Sequence, residues 1–315
     1  MSIIRITDTV ASNAGADQPA PGWLGSLGAY AALTKPRIIE LLLITTVPAM
    51  FLAARGFPSL HLVAVTLVGG TAAAASANVF NSVLDADIDS SMRRTHRRPM
   101  ARGAVTRTRA FVFAALLGVL STAILAWGAN WLSAGLALLA NAYYVFVYTM
   151  GLKRRTSQNI VWGGIAGCFP PLIGWTAVTG SISWTPLVLF AIVFFWTPPH
   201  TWALAFRYRE DYAKAHVPML PVVMEPAAVA VRILAYTVIT ALVSLLLWPV
   251  AQTGPLYPIV AGVAGVAMTV EAVALLGRAR AGLTDADLRP MRLFHLSNSY
   301  LAIVFLAAAI DPLLF

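Results

Sequence analysis

The chain is poor in charge and almost without cysteine. Asp, Glu, Lys and Arg make up only 11% of its 315 residues, against roughly a quarter in soluble domains, which excludes an ordinary water-soluble globule. The single cysteine, Cys168, falls inside an apolar stretch; no internal disulfide can form, and the residue reads as a small packed side chain. The first 33 residues hold neither an Arg-rich amphipathic pattern nor a hydrophobic signal core, so a targeting peptide is not expected. They read as a flexible cytoplasmic tail, 1–33, ahead of one membrane domain, 34–315, and the lack of a transit pattern favours a bacterial plasma membrane over an organelle. Acids are scarcer than bases, 13 against 22.

What the chain does have is grease. Hydrophobic residues make up 59% and fall into nine stretches, about 38–54, 61–84, 110–127, 131–150, 160–180, 184–205, 228–249, 256–276 and 293–313. Each is long enough to cross a bilayer as a helix. The expected fold class is all-α, a polytopic membrane protein of nine transmembrane helices packed side by side. Every Lys and Arg except Arg55 lies in the N-terminal region or in the segments that follow helices 2, 4, 6 and 8, near 85–109, 151–159, 206–227 and 277–292, with Arg232 starting helix 7. The positive-inside rule makes that side cytoplasmic, with the N-terminus inside and the C-terminus outside. The net charge of +9 is then mostly topological, and nucleic-acid binding is excluded because the bases lie on short loops between spans.

The densest acidic cluster is Asn81-Ser-Val-Leu-Asp85-Ala-Asp87-Ile-Asp89, at the end of the second span. Asn81, Asp85 and Asp89 are spaced four apart and share one helical face, whereas Asp87 lies about 200° around from Asp85. Acids at a helix C-terminus oppose the macrodipole and at a membrane surface are costly without a task. Arg93, Arg94, Arg97, Arg98 and Arg102 follow at once. Hard cations take oxygen ligands from one or two carboxylates plus phosphates and water. The pattern points to a Mg²⁺ site for a diphosphate on a lipid-like substrate, with Lys35, Arg37, Lys153, Arg154 and Arg155 able to converge on the same anion.

A second acidic–basic end follows helix 6, Arg207-Tyr-Arg-Glu210-Asp211-Tyr-Ala-Lys214. It could face the first across a cavity, with Asp211 a further metal ligand and Arg207 and Lys214 on the diphosphate; a solvated loop with local ion pairs would look the same. In Trp196-Thr-Pro-Pro-His200 and Phe169-Pro170-Pro171 the prolines remove backbone hydrogen bonds, which predicts opened helices lining a cavity that His200 faces. Glu40 and Glu271 are intramembrane acids, with Arg278 the expected partner of Glu271.

Seven stretches together resemble one family. They are Leu33-Thr-Lys-Pro-Arg37, Asn81 to Asp89, Thr95-His-Arg97-Arg98-Pro99, Tyr148 to Asn159 with its Lys153-Arg154-Arg155-Thr156 run, Ala166 to Trp175, Trp196 to His200, and Asp211-Tyr-Ala-Lys214-Ala-His-Val-Pro-Met-Leu-Pro221. The chain resembles the UbiA-type intramembrane prenyltransferases and, among them, the branch that farnesylates protoheme IX. It departs from the pattern at Thr201, where an aromatic is usual, and in having Glu210-Asp211 rather than a clean Asp-x-x-x-Asp. The resemblance implies helices around a central cavity and transfer of a farnesyl group from farnesyl diphosphate to haem b, giving haem O and diphosphate. It implies Mg²⁺ on Asn81, Asp85, Asp89 and Asp211, catalytic roles for the first three with Lys35 and Arg37, and substrate contacts from Arg97, Arg98, Lys153, Arg154, Arg207, Asp211, Lys214 and His200. It also implies a homo-oligomer or association with haem A synthesis or terminal oxidase assembly. Two other readings remain open: a quinone or chlorin-type acceptor, or a secondary transporter of a lipid-like anion, which broken helices and intramembrane acids also suit.

Overall fold

The structure, a computed structural model, describes residues 23–93 and 95–315; the side chains of residues 23–26 and 37–43, Arg37 and Glu40 among them, and all of Arg94 lie outside the described residues. Every regular element among the described residues is a helix, in the order α1 (Trp23–Leu33), α2 (Pro36–Ala54), α3 (Leu60–Leu84), α4 (Ala86–Ser91), α5 (Arg107–Gly128), α6 (Trp131–Ala142), α7 (Asn159–Gly163), α8 (Phe169–Thr179), α9 (Trp184–Arg207), α10 (Arg209–Lys214), α11 (Leu220–Val223), α12 (Pro226–Ala251), α13 (Leu256–Arg280) and α14 (Pro290–Leu314). A π-helix, Tyr143–Leu152, prolongs α6, and a 3₁₀ turn, Gly164–Cys168, joins α7 to α8. Within the stretch 1–33 read as a tail, residues 23–33 form α1, and Leu33 at its end is buried against Val79, Met100 and Ala110.

Eight helical segments among the described residues are long and apolar enough to cross a membrane: 60–84, 107–128, 131–152, 159–179, 184–207, 226–251, 256–280 and 290–314. Helix α2, whose described apolar part is Ile44–Ala54, supplies the ninth long helix. The protein is a multi-pass membrane protein. Large apolar side chains such as Val119, Val263 and Val270 face outward, as lipid allows.

Small residues and hydroxyls hold the helices together, because apolar side chains gain little from leaving lipid for one another. Ser76 Oγ donates to the Ala114 carbonyl and Ser121 Oγ to the Gly69 carbonyl, both at 2.7 Å, stapling α3 to α5. At Gly174 in α8 a Cβ would lie 2.4 Å from the Thr46 carbonyl oxygen of α2, so Gly174→Ala must push the two helices apart. Overpacking of this kind costs about 1–3 kcal/mol. The variant is expected to unfold several degrees below the parent in detergent, and an unchanged midpoint would show that the α2–α8 seam yields.

The two ends of the bundle differ. At one, Arg55 Nη2 donates to the Ala251 carbonyl at 2.8 Å, a cation on the negative end of α12, which accounts for the one base outside the basic face. Nearby the buried Asp311 accepts from the backbone N–H groups of Gly254 and Tyr257 at the start of α13, the favourable place for a carboxylate. The other end carries the acidic clusters and almost all the bases. Two expectations need correcting. Helix α9 runs unbroken through Pro198 and Pro199. The 159–179 segment does change its winding, but in the glycine-bearing turn 164–168, so that Pro170 and Pro171 stand in the first turn of α8, where their missing N–H groups go unused.

Candidate functional site

The first acidic cluster straddles the junction of α3 and α4. Asp85 ends α3 with φ −100° and ψ 12°, yet the helical hydrogen bonds run through: Asp85 N–H donates to the Asn81 carbonyl at 2.9 Å and Asp89 N–H to the Asp85 carbonyl at 2.8 Å. The four-residue register survives the break. Asn81, Asp85 and Asp89 are 3%, 0% and 2% exposed, while the Asp87 side chain is 58% exposed and points elsewhere, as the spacing predicts.

Cations close over this buried face from three directions. From the start of α2, Lys35 Nζ donates to Asn81 Oδ1 at 2.7 Å. From the segment after α4, Arg98 Nη1 lies 2.8 Å from both oxygens of Asp89. From the end of the π-helix, Lys153 pairs with Asp85 Oδ2, and Arg154 lies 3.5 Å from Asp85 Oδ1 while it forks onto Asp87 at 2.7 and 2.8 Å. The Arg154 guanidinium holds the Asp87 carboxyl at about 2. Burial first, then the neighbouring Arg98, lowers the Lys35 ammonium to about 7; an anion arriving beside it favours its charged form.

The wide turn of the π-helix is what aims Lys153 here. Lys153 N–H bonds five residues back, to the Tyr148 carbonyl, and π-turns recur at functional sites. Two further residues support the cluster that spacing alone did not single out, although both fall in the stretch matching the family. Thr149 Oγ1 accepts from Asn81 Nδ2 at 3.3 Å. The fully buried Asn159 donates to the Lys153 carbonyl at 3.2 Å.

The remaining predicted residues lie apart. Arg97 and Lys214 are exposed. Asp211 is buried, and its only ion-pair partner among the described residues is Arg93, whose Nε is 3.2 Å away and whose Nη2 is 3.9 Å from Glu210. Arg93, a residue read only as part of a basic run, thus ties the segment after α4 to α10. Asp211 and Arg207 border a separate cavity of 570 Å³. His200 does not face the central cavity: its ring is stacked between Trp196 and Phe294, at centroid distances of 4.2 and 4.5 Å, and its Nδ1 lies 2.9 Å from Ser297 Oγ. Glu271 pairs with Arg278 at 2.5 Å, as expected.

The central cavity, about 360 Å³, is framed by α2, α3, α6, α8 and α9, within the size range of small-molecule sites. Its walls are mostly small or apolar, among them Ala74, Ala137, Phe169, Ile173 and Leu301. Asn78, one helical turn from Asn81, lines it too. A charged head and an apolar chamber therefore lie in series along α3.

No group of three or more His, Cys, Asp and Glu side chains able to hold a metal exists among the described residues. The donor set still fits a hard cation that shares its shell with a ligand. Asp85 Oδ1 is buried without a hydrogen bond, on the helical face it shares with Asn81 and Asp89, and hard divalent ions bind to one or two carboxylates plus phosphate and water.

Residues 42–298 match the UbiA prenyltransferase family. The protoheme IX farnesyltransferase of Cutibacterium acnes is 65% identical over 91% of this chain and 85% of its own; that of Nocardioides sp. is 60% identical over 91% and 92%. Among solved structures, a digeranylgeranylglyceryl phosphate synthase superposes with a TM-score of 0.75 over 92% of this chain and 99% of its own at 17% identity. A UbiA homolog from Archaeoglobus fulgidus, bound to DMAPP and Mg²⁺, gives 0.66 over 90% and 99% at 18%. The match covers most of the chain, and the shared fold is the one just described: this protein belongs to the UbiA prenyltransferase family.

Proposed function

We infer that the protein transfers the farnesyl group of farnesyl diphosphate to a vinyl group of haem b, with addition of water, giving haem O and diphosphate. One observation carries the prenyl-transfer reading: a buried Asn81–Asp85–Asp89 face ringed by Lys35, Arg98, Lys153 and Arg154, with an apolar chamber behind it. The close relatives named protoheme IX farnesyltransferase support haem b as acceptor over a quinone or chlorin.

Asn81, Asp85 and Asp89 are the residues that would hold Mg²⁺, whereas Asp211 lies apart from them, paired with Arg93; when bound, the ion supplies Lewis-acid polarisation of the diphosphate leaving group. Lys153, Arg154 and Arg98 turn from their carboxylates, and Lys35 from the Asn81 amide oxygen, toward the diphosphate oxygens and neutralise the charge that grows as the carbon–oxygen bond breaks. That bond's electron pair leaves with diphosphate. The haem vinyl π-pair bonds to the farnesyl carbon, water captures the cation left on the vinyl group, and a proton is released. The apolar walls keep water from the allylic cation before the acceptor reaches it. By the charge pattern the basic end, and with it the site, faces the cytoplasm of a bacterial plasma membrane.

The first test is diphosphate release from farnesyl diphosphate by purified protein supplied with haem b. Release that stops on chelation and returns with Mg²⁺ is expected. No release from folded protein under any divalent ion would remove the transferase reading and leave that of a transporter, which has no reason to cleave its cargo.

A further inference from the structure

The cavity beside Asp211 differs in make-up from the central chamber. It measures 570 Å³ and lies where the end of α9 meets the start of α14. Five arginines line it: Arg93, Arg207, Arg209, Arg289 and Arg292. Three acids, Glu210, Asp211 and Asp285, share the wall, so the cavity carries an excess of two positive charges. Arg93 is engaged by Asp211 and Glu210. Arg207, Arg289 and Arg292 are exposed and have no acidic partner among the described residues. Unpaired guanidinium groups gathered in a cavity are carboxylate and phosphate binders by geometry.

The wall bearing Arg289 and Arg292 is fixed in place. Leu288 is fully buried, and Arg278 Nε donates to its carbonyl at 2.8 Å. Arg278 is itself held by Glu271, which gives that intramembrane acid a task. Asp285 and Arg289, neither of them glycine, take φ of 48° and 51° on either side of this turn, a conformation that persists only where surrounding contacts impose it.

Helix α9 contributes to the walls of both cavities. Along α9 the residues run from Arg207, in the arginine cavity, through His200 to Thr197 and Trp196, which line the chamber. Ten residues of helix separate Arg207 from Thr197, about 15 Å, comparable with the width of a porphyrin. Along this stretch of α9 the Trp196, His200 and Phe294 rings stack. The countercharges for a diphosphate are already gathered at the Asp85 cluster, whereas haem b has two carboxylates that cannot enter an apolar chamber without great cost.

Resting on the function inferred above, we propose that the α9–α14 cavity is the anchor for the two propionate carboxylates of the haem acceptor, with Arg289 and Arg292 as the contact residues. Haem then enters with its propionates at the basic face and a vinyl edge toward the chamber.

The test is haem b binding to the full-length protein in nanodiscs, followed by visible absorbance without farnesyl diphosphate, together with steady-state turnover. For Arg289→Gln/Arg292→Gln, haem affinity is expected to fall about tenfold or more, with the KM for farnesyl diphosphate within about twofold of wild type. Haem b dimethyl ester, which lacks both charges, should bind the wild type as weakly as the variant binds haem b, and the variant should lose nothing further with the ester. Unchanged haem affinity in the variant, or an equal loss for haem and its ester, would overturn the proposal. So would a rise confined to the KM for farnesyl diphosphate, which would give these arginines to the diphosphate. A defect present only in nanodiscs containing anionic lipid would assign the cavity to a lipid headgroup instead. Wild-type protein that binds haem through these arginines but forms no product would sink the transferase reading and leave the anchor standing; wild type that binds no haem would sink both.

Discussion

Asp85→Asn is expected to lower turnover by at least about a thousandfold, equivalent to about 4 kcal/mol of transition-state stabilisation. Within the described cluster Asp85 is touched by both Lys153 and Arg154, and its Oδ1, buried without a hydrogen bond and 3.5 Å from Arg154, is an oxygen placed to hold a cation. The amide is nearly the same shape and keeps the contact with Asn81, so packing around it survives. It removes the negative charge, and with it the affinity of the site for a divalent ion. Two bases then lose their counter-ion. Breaking a fully buried pair costs about 3–5 kcal/mol, but the Arg154 side chain is 41% exposed and still has Asp87, so the cost here is smaller. The variant should insert into membranes and unfold only a few degrees early. Product counted by mass spectrometry beside a thermal unfolding curve separates the two effects. Activity within tenfold of wild type would contradict the assignment of Asp85 to the reacting centre.

Lys153→Met is expected to lower kcat/KM for farnesyl diphosphate by about a hundredfold, equivalent to about 3 kcal/mol. The stem of the side chain keeps its volume, while the ammonium that meets Asp85 is gone. Two consequences oppose one another. Losing a cation strips the diphosphate of a partner whose value grows as the leaving group gains charge. It also frees Asp85 to bind a metal without competition. The first is expected to prevail, because one lysine is a ready competitor to displace but a hard one to replace at the leaving group. A fall in kcat with little change in KM would place Lys153 at the transition state; a rise in KM alone would make it an ordinary binding contact. A Lys153→Arg variant that restores less than half the activity would show that the compact ammonium, rather than charge alone, fits this position.

The membrane spans were legible in the sequence because hydropathy is a local property: each apolar stretch lies within a few residues of its helix. The buried face of the site was legible for a similar reason. The i, i+4, i+8 spacing of Asn81, Asp85 and Asp89 survives even the break at Asp85, since the hydrogen bonds that set the register continue through it. The partners of those acids depend on tertiary structure. Nothing local marks Tyr143–Leu152 as a π-helix, yet that wide turn decides where Lys153 points. Nor does the chain between residues 93 and 211 indicate that Arg93, just after α4, will meet Asp211 of α10. His200 was misread for a physical reason: Pro198 and Pro199 do not end α9, which stays helical through them while packed against α12 and α14. The ring stacks between Trp196 and Phe294 and stays out of the chamber.

The most direct measurement is the mass of the product formed by the purified protein in liposomes given haem b, farnesyl diphosphate and Mg²⁺. The account predicts a haem heavier by one farnesyl group and one hydroxyl, absent when the metal is chelated and absent with Asp85→Asn. Folded protein that leaves haem b unchanged, but releases diphosphate when supplied with a quinone precursor, would contradict it while leaving the fold and the Asp85 cluster in place.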